Sequence, residues 1–435
     1  MTTTLHPFPH SVAQPVSARL TAGGRIALDI GSTVVKIACV GDDGSLQSQH
    51  FHPRDFEAGI ARQVQGLLAE HGIDPDREPI LACSSANGGL RVGIVCLSPH
   101  FSGATLRNQV LLAGANPIYL HEFDTATGDP RRVDILLLGG GIDCEDAAPA
   151  RERLLRFDPA PYRYGALVYA GNRFLADEFK ARFPAAVIID NPLGETLSKR
   201  VGSVFECVRR AYLDDLVFKE GVTELPESIA RSIRPTPEVA SRGFLRSVSN
   251  QSTFAIVGAC VVLDIGGATT DLHYTVEVVA DDSPEQPAGG VSVARHVFTD
   301  LGIVASRDTL LQQLRSHPQL YEFLCAVLGA DVRALYAAFR EGEQEPSADL
   351  LSYACLFLAL ERFRRGHGPG LPVGQLERVA QLILTGGAAQ ALDEATVGRI
   401  VALLVAAGTP PPLVQIDRRY EIWVAGITWL EDARP

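Results

Sequence analysis

One short pattern occurs twice in this chain, as LDIGSTVVK at 28–36 and LDIGGATTD at 263–271, and it limits the possible folds more than any other feature. With Asp29 set on Asp264, Leu28, Ile30 and Gly31 fall on Leu263, Ile265 and Gly266, Thr33 lies near Thr269 and Thr270, and Lys36 stands opposite Asp271. Each copy is an apolar β-branched run, an Asp, a Gly turn bearing hydroxyls, and a second strand-like run. β-branched residues favour strands and glycine permits a tight turn, so each copy predicts a strand-turn-strand hairpin. The chemistry follows from that geometry. Gly31, Gly266, Gly267 and the small Ala268 let backbone amides approach a phosphate, and Ser32, Thr33, Thr269 and Thr270 add hydroxyl donors. Lys36 adds positive charge, and Asp29 and Asp264 are placed to hold Mg²⁺ through water. Two such hairpins facing each other predict a nucleotide clamp. A single Asp-x-Gly turn after a buried strand is common; a matched pair is far less so.

A third glycine turn follows in LTGGAAQAL, 384–392. An apolar strand ends at Leu384, and Gly386 and Gly387 precede small residues, beginning with Ala388, that predict the opening of a helix. Free amides at a helix start, with no side chains over the glycines, would let an adenosine lie against the backbone.

At 435 residues the chain is long for one core, so two ordinary domains are expected. Its 46% hydrophobic and 21% charged residues are those of a globular protein, and no apolar run approaches the ~20 residues of a membrane span. A net charge of −12 argues against a nucleic-acid surface but not against a small anion held by amides. The eight cysteines are spread singly with no CxxC, which predicts buried thiols in a reducing compartment, the cytoplasm. Residues 1–24 read as a flexible tail and not as a signal peptide. His50-x-His52 has no third metal ligand near it in sequence and reads as a surface loop.

Taken in order, 25–79 form the first part of lobe I, with a helix over 55–71 ended by Gly72. Residues 80–190 alternate strands (80–83, 92–97, 117–120, 133–138, 166–169, 186–189) with helices (104–114, 146–156, 173–182), which predicts an inserted parallel α/β module. Its loops SSANGG, GGGIDC and AGNR sit at strand carboxyl ends, where ligands commonly bind. GGGIDC lacks the spacing of a phosphate loop, and a plain strand-to-helix turn is favoured. Residues 191–250 form a helical connection, with helices over 199–221 and 238–251 and a loop over 222–237. Lobe II covers 251–420, largely helical over 309–365, and 421–435 return to the hinge or lobe I, where Ala425-Gly426 allow close packing.

Three Gly turns in this order resemble the actin, Hsp70 and sugar-kinase superfamily. That resemblance implies a two-lobed α/β fold, a duplicated ribonuclease H-like core with ATP or ADP and Mg²⁺ in the cleft. A narrower resemblance rests on LDIGSTVVK, ACSSANGGLRVGIVCL, DILLLGGGIDC, VYAGN, RPTPEVA, LDIGGATTDLHY, TDLGI and LTGGAAQ. Together these resemble the glutamate mutase MutL family, although GGGIDC departs from the pattern expected there. The resemblance implies an ATP-dependent chaperone or reactivating factor for an adenosylcobalamin-dependent mutase, docking through the α/β module. Asp271 and Glu195 are the candidates for activating water, or else structural acceptors. A small-molecule kinase of the same fold and a nucleotide-dependent scaffold without turnover are the alternatives, and self-association stays open.

Overall fold

The computed structural model describes residues 24–432, apart from 32, 56, 86–89, 126, 195–201, 220–223, 250–255, 280–292, 305, 316, 329–330, 332–333, 335–336, 340 and 369–370. Both predicted hairpins form. β1 (Arg25–Ile30) and β2 (Val34–Val40) pair antiparallel with Asp29 opposite Lys36, and the turn closes with Gly31 N donating to Val34 O at 2.9 Å. β11 (Cys260–Ile265) and β12 (Thr270–Thr275) pair with Asp264 opposite Asp271, and Gly266 N donates to Thr269 O at the same 2.9 Å. The repeat seen in the sequence is thus a repeat of register and turn hydrogen bond.

It extends to whole sheets. In lobe I, β3 (Leu46–Pro53) adds antiparallel to β2, β4 (Ile80–Ser84) adds parallel to β1, and β10 (Arg234–Pro235) closes the order β3-β2-β1-β4-β10. In lobe II, β13 (Val293–Phe298), β14 (Gln381–Thr385) and β15 (Leu413–Ile416) give β13-β12-β11-β14-β15, with the same parallel and antiparallel pairings. Two sheets in the order 3-2-1-4-5 make this a duplicated ribonuclease H-like, two-lobed actin-like fold.

The third sheet is the inserted module. β5 (Arg91–Cys96), β6 (Asn116–Glu122), β7 (Asp129–Gly139), β8 (Tyr162–Tyr169) and β9 (Val187–Ile188) are all parallel, in the order β6-β5-β7-β8-β9. The strand at 80–84, expected to open this module, instead pairs with β1, so the boundary moves past Ser84. α1 (Ile60–Glu70) covers lobe I, and α2 (Ala104–Leu112), α3 (Ala148–Arg156) and α4 (Ala176–Arg182) belong to the module.

α5 (Ser203–Lys219) is followed by α6 (Glu227–Ser232), which with β10 occupies the stretch expected as a loop at 222–237. Its prolines mark the helix starts: Pro226 directly precedes α6, Pro235 directly precedes α7 (Thr236–Val248), and Pro237 stands in the first turn of α7. In lobe II, α8 (Arg307–Arg315), α9 (Pro318–Leu328) and α10 (Ala348–Arg365) surround a core in which α10 is buried almost throughout.

Between the lobe sheets lie α7 and α12 (Glu421–Asp432), the latter following α11 (Glu394–Ala402). Val239, Trp423, Val424 and Ile427 pack on lobe I's Ala27, Ala38, Leu81 and Cys83. Phe244 and Ile422 pack on lobe II's Cys260, Val262 and Ile383. The two helices cross so closely that a Cβ on Gly243 would stand 1.8 Å from Ile422 O, and one on Gly426 1.9 Å from Val239 O.

Candidate functional site

The carboxyl ends of β1 and β11 place Asp29 and Asp264 near the junction of the lobes. Asp29 is fully buried: its Oδ2 accepts from Lys36 Nζ at 2.7 Å, and its Oδ1 from Thr236 Oγ1 at 2.7 Å and Cys83 Sγ at 3.3 Å. Cys83 Sγ in turn accepts from Trp423 Nε1 at 3.1 Å. Burial would depress the Lys36 ammonium, but attraction to Asp29, with Tyr420 and Asp264, outweighs it and holds its pKa above the ordinary lysine value. The ammonium also lies 5.0 Å from the centre of the Tyr420 ring. Tyr420 takes the left-handed conformation with φ 54, the one non-glycine residue to do so among the described residues.

Asp264 is the less compensated carboxylate. Burial first, then Asp271 and Asp29, push its pKa up to about 6 against Lys36 and Arg295. Gly386, at φ 89, lies against it, and a Cβ there would meet Asp264 Oδ1 at 2.2 Å. The third glycine turn therefore leaves room for Asp264. The helix expected to start behind Gly387 does not: Ala388–Ala391 make a 3₁₀ turn, and α11 begins at Glu394, capped by the Asp393 carboxylate on Thr396 N. Asp417 joins this region to α12, accepting from Glu421 N at 2.8 Å and Thr385 Oγ1 at 3.2 Å.

The turn carbonyls are held from behind. In lobe I, Arg54 N donates to Thr33 O at 2.9 Å and Arg54 Nη1 to Gly31 O at 3.0 Å. In lobe II, Ile303 N donates to Gly266 O at 3.2 Å, Val304 N to Gly267 O at 2.8 Å, and Thr270 Oγ1 to Leu301 O at 2.6 Å. Because a trans peptide points its N–H opposite its C=O, the amides of Gly267 and Ala268 face away from 303–304. Successive amides turned one way form a concavity for anions. TDLGI is thus the brace of the second turn, and a Cβ on Gly302 would stand 2.3 Å from Ala268. The tips meet: a Cβ on Gly267 would lie 2.4 Å from Thr33 Cγ2.

Asp271, across from Asp264 on β12, is held in an ion pair. Its Oδ1 accepts from Arg295 Nε at 2.8 Å and again from Arg295 Nη2, while Arg295 Nη1 donates to Leu111 O of α2 at 2.7 Å. Through Arg295 its carboxylate joins lobe II to the module. Glu195 and Ser32 lie outside the described residues, as do 86–89 of SSANGG.

GGGIDC is tied to the loops after β8 and β9: Asp143 accepts from Arg173 N and Asn191 Nδ2, each at 3.0 Å. His52 Nε2 meets His71 Nε2 at 3.0 Å, but no group of three metal-type ligands assembles among the described residues. No described helix is long and apolar enough to cross a membrane.

Thr236, Cys83, Trp423, Tyr420, Arg54 and Arg295 were not singled out by the sequence. RPTPEVA and TDLGI, noted there only as shared stretches, contain Thr236 and the second brace.

Comparison with known proteins finds similar sequences and similar solved structures. The protein MutL of Clostridium tetanomorphum is 26% identical over 326 residues, 69% of this chain and 68% of that protein. Among solved structures, a ROK family glucokinase from Streptomyces griseus in complex with glucose and AMPPNP shares 12% identity over 94% of this chain and 99% of that one, at a TM-score of 0.32. The activator of 2-hydroxyisocaproyl-CoA dehydratase from Clostridium difficile with bound ADPNP shares 8% over 94% and 95%, at 0.34. The family model described as MutL protein matches residues 25–408, which is most of the chain, and the chain belongs to that family.

Proposed function

We propose that this protein binds ATP between its two Asp-Gly turns, hydrolyses it slowly, and uses the cycle to reactivate an adenosylcobalamin-dependent mutase in the cytoplasm. The carrying observation is the pair of identical turns, Gly31 on Val34 and Gly266 on Thr269, touching tip to tip beside Asp29, Lys36 and Asp264. Amides of Gly267 and Ala268, with the Thr33 and Thr269 hydroxyls, would grip the outer phosphates. Phosphoryl transfer needs mainly such positioning and charge neutralisation.

A magnesium ion fits the donor set, since Asp264 is a carboxylate set opposite Asp271 and near Asp29, and burial together with these two like charges raises its pKa. Asp264, with Asp29 through water, would hold the ion, which when bound supplies charge neutralisation to the phosphates. Asp29 enters through its bond to Lys36, which orients both groups.

The mutase as partner rests on family membership and on the shared stretches of sequence. α7 and α12 touch both lobe sheets, so closure of the lobes would be felt along them and change the affinity for a partner by its differential binding to the two states. The test is ATP binding and hydrolysis by the wild type and Asp264→Ala, with and without an inactivated mutase and fresh cofactor. Reactivation by the wild type alone is expected. ATP binding untouched by Asp264→Ala would sink the proposed cleft. Turnover only with an added metabolite would identify a kinase, and binding without turnover a scaffold.

A further inference from the structure

We infer that α2 is the element through which the nucleotide site and the inserted module are coupled, its C-terminal end being held by Arg295 from lobe II and by the Pro235-Thr236 step from lobe I. This regulation rests on the nucleotide reading above.

The sequence of α2, ATLRNQVLL, spreads polar and apolar residues around the helix with no single apolar stripe, yet all of 104–111 except the half-buried Asn108 are buried. Thr105, Arg107 and Gln109 are enclosed because α2 lies between elements. It packs on α5, on α7 and on β13 of lobe II, while Leu106 and Val110 join the core shared by lobe I and the module. Buried polar groups need partners, and other elements supply them, as where Gln109 Oε1 accepts from Phe205 N at 3.3 Å. A helix fixed from several sides moves with what holds it.

Two ties converge on its last turn. From lobe II, Arg295 Nη1 donates to Leu111 O at 2.7 Å, and a cation at the final carbonyls also suits the helix dipole. The same guanidinium, through Nε at 2.8 Å and through Nη2, holds Asp271, which stands opposite Asp264 across β11 and β12. From lobe I, the turn after α2 passes so close that a Cβ on Gly114 would lie 2.7 Å from Pro235 Cβ, and the next residue, Thr236, donates to Asp29 Oδ1 at 2.7 Å. Supports of both site carboxylates thus meet at one helix end. Asp264 and Asp271 are like charges in register, so whatever changes the charge at Asp264 changes how strongly Asp271 draws Arg295, and with it the hold on Leu111 O. At its other end α2 continues from the turn Pro99–Gly103, where Phe101 is 58% exposed, so a displacement of the helix surfaces on the module. The coupling is reciprocal: what nucleotide does to α2, a protein held at the module does to nucleotide affinity.

The test is hydrogen exchange of the full chain, free and saturated with Mg-ATP, with binding itself followed by calorimetry. In the unmodified chain Mg-ATP should change exchange at 109–114 by about fivefold or more beyond any change in α3, which packs in the module's own core. In Arg295→Lys the single ammonium can stay with Asp271 but cannot also reach Leu111 O. Mg-ATP should then bind within about threefold of its wild-type affinity while the response at 109–114 is largely lost. Exchange at 109–114 that merely follows α3 in the unmodified chain, or a full response in Arg295→Lys, would reduce Arg295 to a packing contact and overturn the inference. Loss of Mg-ATP binding by a folded Arg295→Lys would make Arg295 part of the nucleotide site and overturn it equally. The nucleotide reading fails separately, and the inference with it, if calorimetry finds no Mg-ATP binding to the unmodified chain.

Discussion

Asp264 holds a carboxylate in a setting that resists its charge, with its pKa raised from 3.8 to about 6 chiefly by burial. The folded state therefore keeps this proton to higher pH than the unfolded chain does. The stability it contributes is fully present below about pH 4, falls as pH rises towards 6, and is flat above that. At about 1.4 kcal/mol per pH unit, and with the side chain still partly exposed, the charged form costs the nucleotide-free fold at most about 3 kcal/mol. Asp264→Asn should thus raise stability by up to that amount in urea unfolding above about pH 7, with little change near pH 4. No gain at neutral pH would dispose of the burial account. Lys36→Met should act oppositely, losing about 3–5 kcal/mol by leaving Asp29 buried without its cation. The two changes share one network, so a double-mutant cycle should be clearly non-additive. At this scale the sequence showed the groups that lie on the hairpins, Asp29, Lys36 and Asp264. It could not show Thr236 on Asp29, a contact between residues 207 apart, nor Trp423 on Cys83, 340 apart. No periodicity or turn chemistry encodes such separations.

Among the elements, the crossing of α7 and α12 depends on two glycines with backbone where their Cβ atoms would be. Gly426→Val should push the helices apart and destabilise the fold by about 3 kcal/mol or more, read as a lowered unfolding midpoint. A change within about 0.5 kcal/mol would mean that the crossing can slide, contrary to the contact with Val239 O. The strands were legible because β-branched runs bounded by glycine and proline mark them well. The start at Gly386-Gly387 was misread because the residues behind it are good helix formers. The capping carboxylate that allows an α-helix comes only at Asp393. The strand at 80–84 looked like part of the module because a short apolar run says where a strand is but not which sheet it joins.

For the whole molecule, the duplication read from two nonapeptides proved to be one of complete sheets, down to the order 3-2-1-4-5. A ligand bound between the lobes adds to the stability of both. At a hundredfold excess over its dissociation constant, Mg-ATP should stabilise the protein by about 2.7 kcal/mol, seen as a rise of a few degrees in melting temperature. Asp264→Ala should show none of that rise. An equal rise in the variant would place the nucleotide somewhere other than between the two turns.

The chain from Trp423 through Cys83 to Asp29 also bears on how the protein is made. A ribosome delivers the first turn hundreds of residues before the helix that seals it. Until 421–432 emerge, lobe I can form its sheet but not finish the enclosure of Asp29, and Cys83 stays open to solvent and to thiol reagents. Completion of the site is in this sense an event of translation, and a chain stopped before Glu421 should be alkylated at Cys83 far faster than the full one.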